Sequence, residues 1–512
     1  MTPRRSLFVC VLALAFTGTL APASTPARSR YVGTNLAGIA YWGTQFPFAD
    51  MMKNSGGWTS VEDSGAGGAP FPGLTAEGYP ASLKRGQHAV AAVAWDDSHY
   101  APGRYVVLWD GDGSVSFPNS AVKVAETSSN RIAIDVTATT GPLWVSIDRT
   151  NPGRPVRNLR FLWPGTEATY ASNPFNPVFL AKTAPFSAIR FMDWGATNGS
   201  PVVNWADRPR ISDLSYADRG VPLELMIDLA NRLRVDPWFC IPHKASDDYV
   251  RQFAALLHSR LDPALKPHLE YSNEVWNLSF PQTTWAVAES KRLGLPTPHG
   301  MPSAFYAQRS VQVFRIAQQA FGPDRGRLVR VLSGQAVWTQ FLENALGWQD
   351  SASNADVLAI APYFNAGPAD EAANVQKTLS MSSDQIVDLM LASVRGPVKA
   401  AMRANASLAA RHRLTMKAYE SGPHNSTSYF PADKIDAMTA LFSAAHRNPR
   451  MRDVYLEYFG VWAASGGDTM NQYNDIGRWS KWGLWGSLEH VTQDPAAAPK
   501  YKGLLDFIAA NR

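Results

Sequence analysis

The sequence predicts a (β/α)8 barrel of the TIM type, with an all-β, sandwich-like module inserted after the first barrel strand. Three observations predict it. Eight short apolar runs are mostly separated by stretches with helical periodicity. Between 76 and 166 the texture changes to short alternating runs broken by Gly, Asp, Asn and Pro. Hydrogen-bonding residues collect at the C-terminal ends of the first seven runs, where barrels of this kind carry their chemistry. At 512 residues, 45% apolar and 18% charged, the chain has the length and composition for a large core and an added module.

Arg4 and Arg5 precede an apolar run and then Ala21-Pro22-Ala23, which predicts a secretory signal peptide over 1–23. The run is too short for a good membrane anchor. Its removal takes away Cys10 and leaves Cys240 alone, so no intramolecular disulfide is expected. Cys240 lies in the apolar run "DPWFCIPH" and reads as a core filler. The net charge of +5 includes the two signal arginines and comes without basic runs, which argues against a nucleic-acid partner. The mature chain is expected to be exported, free of the membrane and monomeric.

Taken in order, "YVGTNLAGIAYW" (31–42) supplies the first strand and its mouth, and "FSAIRFMDW" (186–194) the second. A helix over 222–234 leads to the third strand, 236–243, and a helix over 247–261 to the fourth, "PHLEYSNE". A long helix over 303–321 precedes the fifth strand in "RLVRVLSGQA". "ADVLAIAPYF", "RLTMKAYESG" and "GDTMNQYND" supply the sixth to eighth. The barrel is assigned to 30–75 and 167–512 and the module to 76–166. Within the module, "DGDGS" (110–114) has metal-capable groups, but Ala121 stands where a calcium loop needs a bidentate Glu, so a hairpin turn is expected. Trp95, Trp109, Trp144 and Trp163 fall in strand-like runs, which favours a module that braces the barrel.

The strand ends read Asn35, Arg190, His243, Asn273-Glu274, Gln335, Tyr363 and Glu420, with Trp42, Trp194, Trp276 and Trp338 just beyond several of them. Seventeen Trp raise the expectation of carbohydrate, because sugar rings present flat C–H faces to indoles. Cleaving a glycosidic bond needs an acid for the leaving oxygen and a second carboxylate on the opposite face. Glu274 closes strand four and Glu420 closes strand seven, on different walls of one mouth. Asn273 can bond a sugar 2-hydroxyl, which marks Glu274 as the acid/base. Tyr363 and Arg190 would hold Glu420 ionised as a nucleophile. Glu270 shares strand parity with Glu274 and is the alternative acid, though it lies deeper. Arg190 could equally neutralise Glu270. His243 and His424 are candidate substrate contacts. "HKASDD" (243–248) has no zinc-ligand pattern; its two Asp read as a helix start.

"YSNEVWN" and "YESGPH", with Arg190 ending strand two, resemble glycoside hydrolase clan A, the retaining TIM-barrel superfamily. The resemblance covers the barrel segments and not the module. It implies a strand-four Asn-Glu acid/base, Asn273-Glu274, and a strand-seven nucleophile, Glu420. Val275 stands where clan members often have Pro, and the clan's strand-eight Trp would be supplied by Trp479 or Trp482. The function expected is a secreted, retaining β-glycoside hydrolase acting within a polysaccharide or oligosaccharide, without metal or organic cofactor. A catalytically silent carbohydrate-binding or matrix protein, and a transglycosylase, are the alternatives.

Overall fold

The computed structural model describes residues 28–118 and 122–512, so the signal peptide and Cys10 lie outside the described residues. Eight parallel strands close into a barrel in chain order: Val32–Asn35, Ala188–Arg190, Asp236–Ile241, His268–Tyr271, Val329–Gly334, Val357–Ile360, Thr415–Ala418 and Met470–Gln472. The last pairs with the first, Thr34 opposite Gln472, which removes any free edge. Each strand lies within one of the eight predicted runs, and the fold is the TIM barrel expected.

Local chemistry sets the helices between them. Asp247–Arg260 is capped by Ser246, whose side chain accepts from the Tyr249 amide. Asp247 and Asp248 occupy its first turn and His258 and Arg260 its last, matching the helix dipole. Leu223–Leu233 stops where Arg234 turns left-handed at φ 54°. Ser303–Phe321 ends at Gly322, also φ 54°. The apolar faces of these helices and the outward strand faces form one continuous core. A smaller cluster of Trp238, Val331, Val357, Ala359 and Tyr419 fills the barrel lumen, so the barrel is a packed interior and not a pore.

The module is two antiparallel sheets, one of four strands and one of five. Inward residues of both, such as Ala91, Val93, Tyr105, Val107, Ile134 and Val145, belong to the same core as the barrel shell. Its sheets begin earlier than 76. Thr59–Glu62 and Gly67–Pro70 pair with each other, and Thr59–Glu62 pairs with Gln87–Ala94. The "GGAP" strand is exposed throughout, so it carries no alternating apolar signal.

"DGDGS" is not a hairpin. Gly103–Asp110 lies in the four-stranded sheet, paired with Arg131–Val136. Gly113–Ser116 pairs with Leu143–Thr150 in the other. The segment therefore carries the chain from one sheet to the next, and sequence spacing alone does not tell that link from a hairpin. Gly111 permits it: φ is 88°, and a Cβ there would stand 2.1 Å from the Pro155 carbonyl oxygen. Among the described residues no helix is long and apolar enough to cross a membrane.

Candidate active site

The site is built around Arg190 at the end of strand two. Strand pairing sets Arg190 opposite Asn35 on one side and Trp238 on the other. All of its N–H groups are engaged. Nε donates to Glu270 Oε2 at 3.0 Å, Nη1 to Asn35 Oδ1 at 3.2 Å and Glu420 Oε1 at 2.8 Å, and Nη2 to Asn273 Oδ1 at 2.8 Å. Nη2 also lies 3.0 Å from Glu270 Oε2. The guanidinium sits 5.0 Å from the Tyr419 ring centroid. Arg190 thus serves both Glu270 and Glu420, and the two roles offered by the sequence coexist.

Glu270 is the deep carboxylate. Besides Arg190 it accepts from Trp238 Nε1 at 2.8 Å, Ser333 Oγ at 2.7 Å and Cys240 Sγ at 3.4 Å. With both oxygens bonded and the side chain buried, it has no face left for substrate. Cys240 is buried beside it, and burial pushes its thiol well up. Asn35 is likewise buried, with Nδ2 donating to the Tyr419 carbonyl at 2.9 Å. It positions Arg190 and does not face the mouth as a substrate contact.

At the end of strand four, Ser272 and Glu274 take left-handed φ values of 62° and 43°. These break the strand alternation, so the successive side chains of Asn273 and Glu274 both enter the site. Such backbone costs about 1–3 kcal/mol per residue and persists only where surroundings enforce it. Glu274 Oε1 accepts from Tyr419 at 2.9 Å and Oε2 from Asn277 Nδ2 at 2.9 Å. Asn273 Nδ2 donates to Asn198 Oδ1 at 3.0 Å, which uses one of its two amide N–H groups.

Glu420 and Glu274 face different donors. Glu420 holds the Arg190 contact on Oε1 and accepts from the Tyr363 hydroxyl on Oε2 at 2.9 Å. Glu274 has only neutral partners. Burial first, and then the charge of Glu420, push Glu274 up to about 7. Burial raises Glu420 too, but the Arg190 guanidinium opposes it. A guanidinium thus favours the ionised form of Glu420, while Glu274 has no cation among its hydrogen-bond partners.

A cavity of about 360 Å³ opens on Glu274, lined also by Trp276, Gln335, Tyr363, Asn365 and His424, and Tyr363 connects it to Glu420. Four of the expected substrate contacts (Trp276, Gln335, Tyr363 and His424) are thereby brought together with Glu274. A cavity of about 440 Å³, lined by Tyr79, Arg160, Tyr170 and Tyr216, lies at the junction of module and barrel, with neither carboxyl in its lining. Among the described residues no group of three or more His, Cys, Asp or Glu is placed to hold a metal ion.

Other expected contacts lie elsewhere. Trp194 is buried among Phe48, Phe179 and Phe191, with centroids at 5.4, 6.1 and 5.7 Å, and is a core residue. The chain turns immediately after it, with Ala196 at φ 45°, and this folds the indole inward. Trp42 is 52% exposed, packs edge-on against Tyr41 at 4.7 Å and does not line the cavity. His243 is buried edge-on to Trp285 at 5.3 Å, and burial lowers it to about 4. It hydrogen-bonds neither carboxyl.

Trp482 is 65% exposed with the Lys481 ammonium over its ring. Trp479 lies between the Arg447 and Lys500 cations, 5.3 and 4.2 Å away. The indole that turns to the site after strand eight is Trp485, 5.6 Å from Tyr473 and 6.2 Å from His424.

Three further site residues escaped the sequence reading. Tyr419 reads by strand parity as facing away from Glu420's side, yet it reaches Glu274. Asp193 accepts from Tyr473 at 3.0 Å. Burial and the charge of Glu420 push Asp193 up to about 6.

No protein-family profile matches the chain, and no curated protein matches it. Solved structures with a similar course include the GH53 catalytic domain of Ignisphaera aggregans, at 12% identity and TM-score 0.33, covering 65% of this chain and 88% of that one. Xylanase 10B of Thermotoga maritima matches at 10% identity and TM-score 0.36, covering 64% and 89%. A mutant xylanase 10C of Cellvibrio japonicus, in complex with xylopentaose, matches at 11% identity and TM-score 0.36, covering 89% and 98%. What the site can do chemically is read from its own geometry.

Proposed function

We propose that the chain is an exported, retaining β-glycoside hydrolase of the clan A kind, which cleaves a polysaccharide internally by double displacement. The observation that carries this reading is the pairing of two buried carboxyls with opposite surroundings at one barrel mouth. Glu420 is tied to a guanidinium, and Glu274 is raised to about 7 among neutral donors. Glu420 attacks the anomeric carbon while Glu274 gives its proton to the leaving oxygen. The glycosyl-enzyme ester then accepts water, whose proton returns to Glu274 as the hydroxide equivalent adds to the anomeric carbon and Glu420 leaves. The free N–H of Asn273 supports a bond to the sugar 2-hydroxyl. Trp276 and Trp485 offer stacking faces, in keeping with a bound glycan chain. Export is supported by the N-terminal arginines and apolar run.

Glu274→Gln tests the assignment. Polysaccharide cleavage should fall by about 10²–10⁴-fold, the usual contribution of a general acid. The first step on dinitrophenyl glycosides, whose leaving group needs no proton, should be spared. Equal losses on both substrates would remove Glu274 from the acid/base role.

A further inference from the structure

We propose that Asp193 is a specificity-determining residue of this mouth, accepting a hydrogen bond from a neutral sugar ring, and that the site excludes uronic acids. The inference rests on the hydrolase reading. Asp193 stands three residues beyond Arg190, and its Oδ2 is pinned by Tyr473 at 3.0 Å. Its Oδ1 takes no hydrogen bond from any described residue, and the side chain keeps part of its exposure. From Tyr473 a run of rings passes through Trp485 and His424 to Tyr363, which donates to Glu420. Asp193 and Tyr473 thus reach Glu420's surroundings without lining the cavity that holds Glu274. That leaves one carboxylate oxygen of Asp193 without a described donor, on the Tyr473–Trp485 side of Glu420.

The charge balance selects the substrate class. Glu270 and Glu420 bond the Arg190 guanidinium, whose N–H groups are all taken, and its charge also reaches Glu274 and Asp193. No Lys or Arg lines the neighbouring cavity beside Glu274. A substrate carboxylate would enter among acids with no cation to pair it, and an unpaired buried charge is strongly disfavoured. A neutral pyranoside brings hydroxyl donors, which Asp193 Oδ1 can accept.

The test uses the full chain on a panel of neutral β-glycans and uronate-containing β-glycans, with Asp193→Asn and Tyr473→Phe alongside. Wild type should cleave within neutral stretches and not at uronate linkages. Asp193→Asn should raise KM on the neutral substrate by about tenfold or more, as expected for a lost charged hydrogen bond, with kcat within about threefold. Tyr473→Phe, which removes only the pin, should raise KM less, and it covers the case in which Asp193→Asn does not fold. Cleavage at uronate linkages, or loss confined to kcat, would overturn the inference and leave the hydrolase reading standing. No cleavage of any panel member would overturn both.

Discussion

Burial and Glu420 together move the Glu274 carboxyl from an ordinary 4.5 to about 7, and this has consequences for rate and for stability. The acid must be protonated for an unactivated glycan, so kcat/KM should fall as pH rises through about 7, while dinitrophenyl glycosides should lose this limb. The folded pKa lies above the unfolded one, so the protonated group's contribution to stability is complete below about 4.5. It is lost as pH rises to about 7. Glu274→Gln keeps the neutral shape. Its unfolding free energy should match wild type near pH 4 and exceed it above pH 7, by up to about 3 kcal/mol at about 1.4 kcal/mol per pH unit, read in denaturant melts. A variant that is less stable at pH 8 would contradict the placement of the proton. At this scale the two glutamates were legible because each ends a strand-like run. Tyr419 was not, because its reach to Glu274 follows from where strand seven sits in the barrel wall and not from its own parity. Asp193 carried no signal of its own, since its partner Tyr473 is 280 residues away in sequence.

Among the elements, the eight strands were legible from short apolar runs because parallel strands buried on both faces need little else. Loops were less so. Trp42, Trp194 and Trp482 looked alike as aromatics beyond strand ends, yet one is core and two are surface, because loop turns, and not strand register, aim them. The module's first strands escaped notice because Thr59–Glu62 is only half-buried and Gly67–Pro70 is exposed and glycine-rich, so neither shows a period. Its link at Gly111 gives the clearest test of bracing. Gly111→Ala would press a Cβ to 2.1 Å from a backbone oxygen at φ 88°. It should cost about 1–3 kcal/mol or more of stability, read as a lower melting temperature. If the module only braces, kcat and KM of the folded fraction should stay within about twofold. A selective change in KM with unchanged stability would give the module a part in binding.

Over the whole molecule, two packed regions place the chemistry. The lumen cluster holds Trp238 and Tyr419 under the mouth, and the shell core joins helices, strands and module into one body. At the module's far side, Asp97 pairs with Arg478 at 3.0 Å and His99 stacks on His490 at 4.0 Å. The module is thereby fastened to the loop that also carries Trp485. Strands four and seven are brought to one opening only by closure of the barrel, which is why a pair of glutamates 146 positions apart can share one sugar. In the proposed reaction Glu420 bonds to the anomeric carbon and Glu274 works from the other side. The most direct measurement is the anomeric configuration of the first product, followed by proton NMR from the moment enzyme meets a β-glycan. The account predicts that the β-anomer appears first and mutarotates later. First appearance of the α-anomer would contradict it.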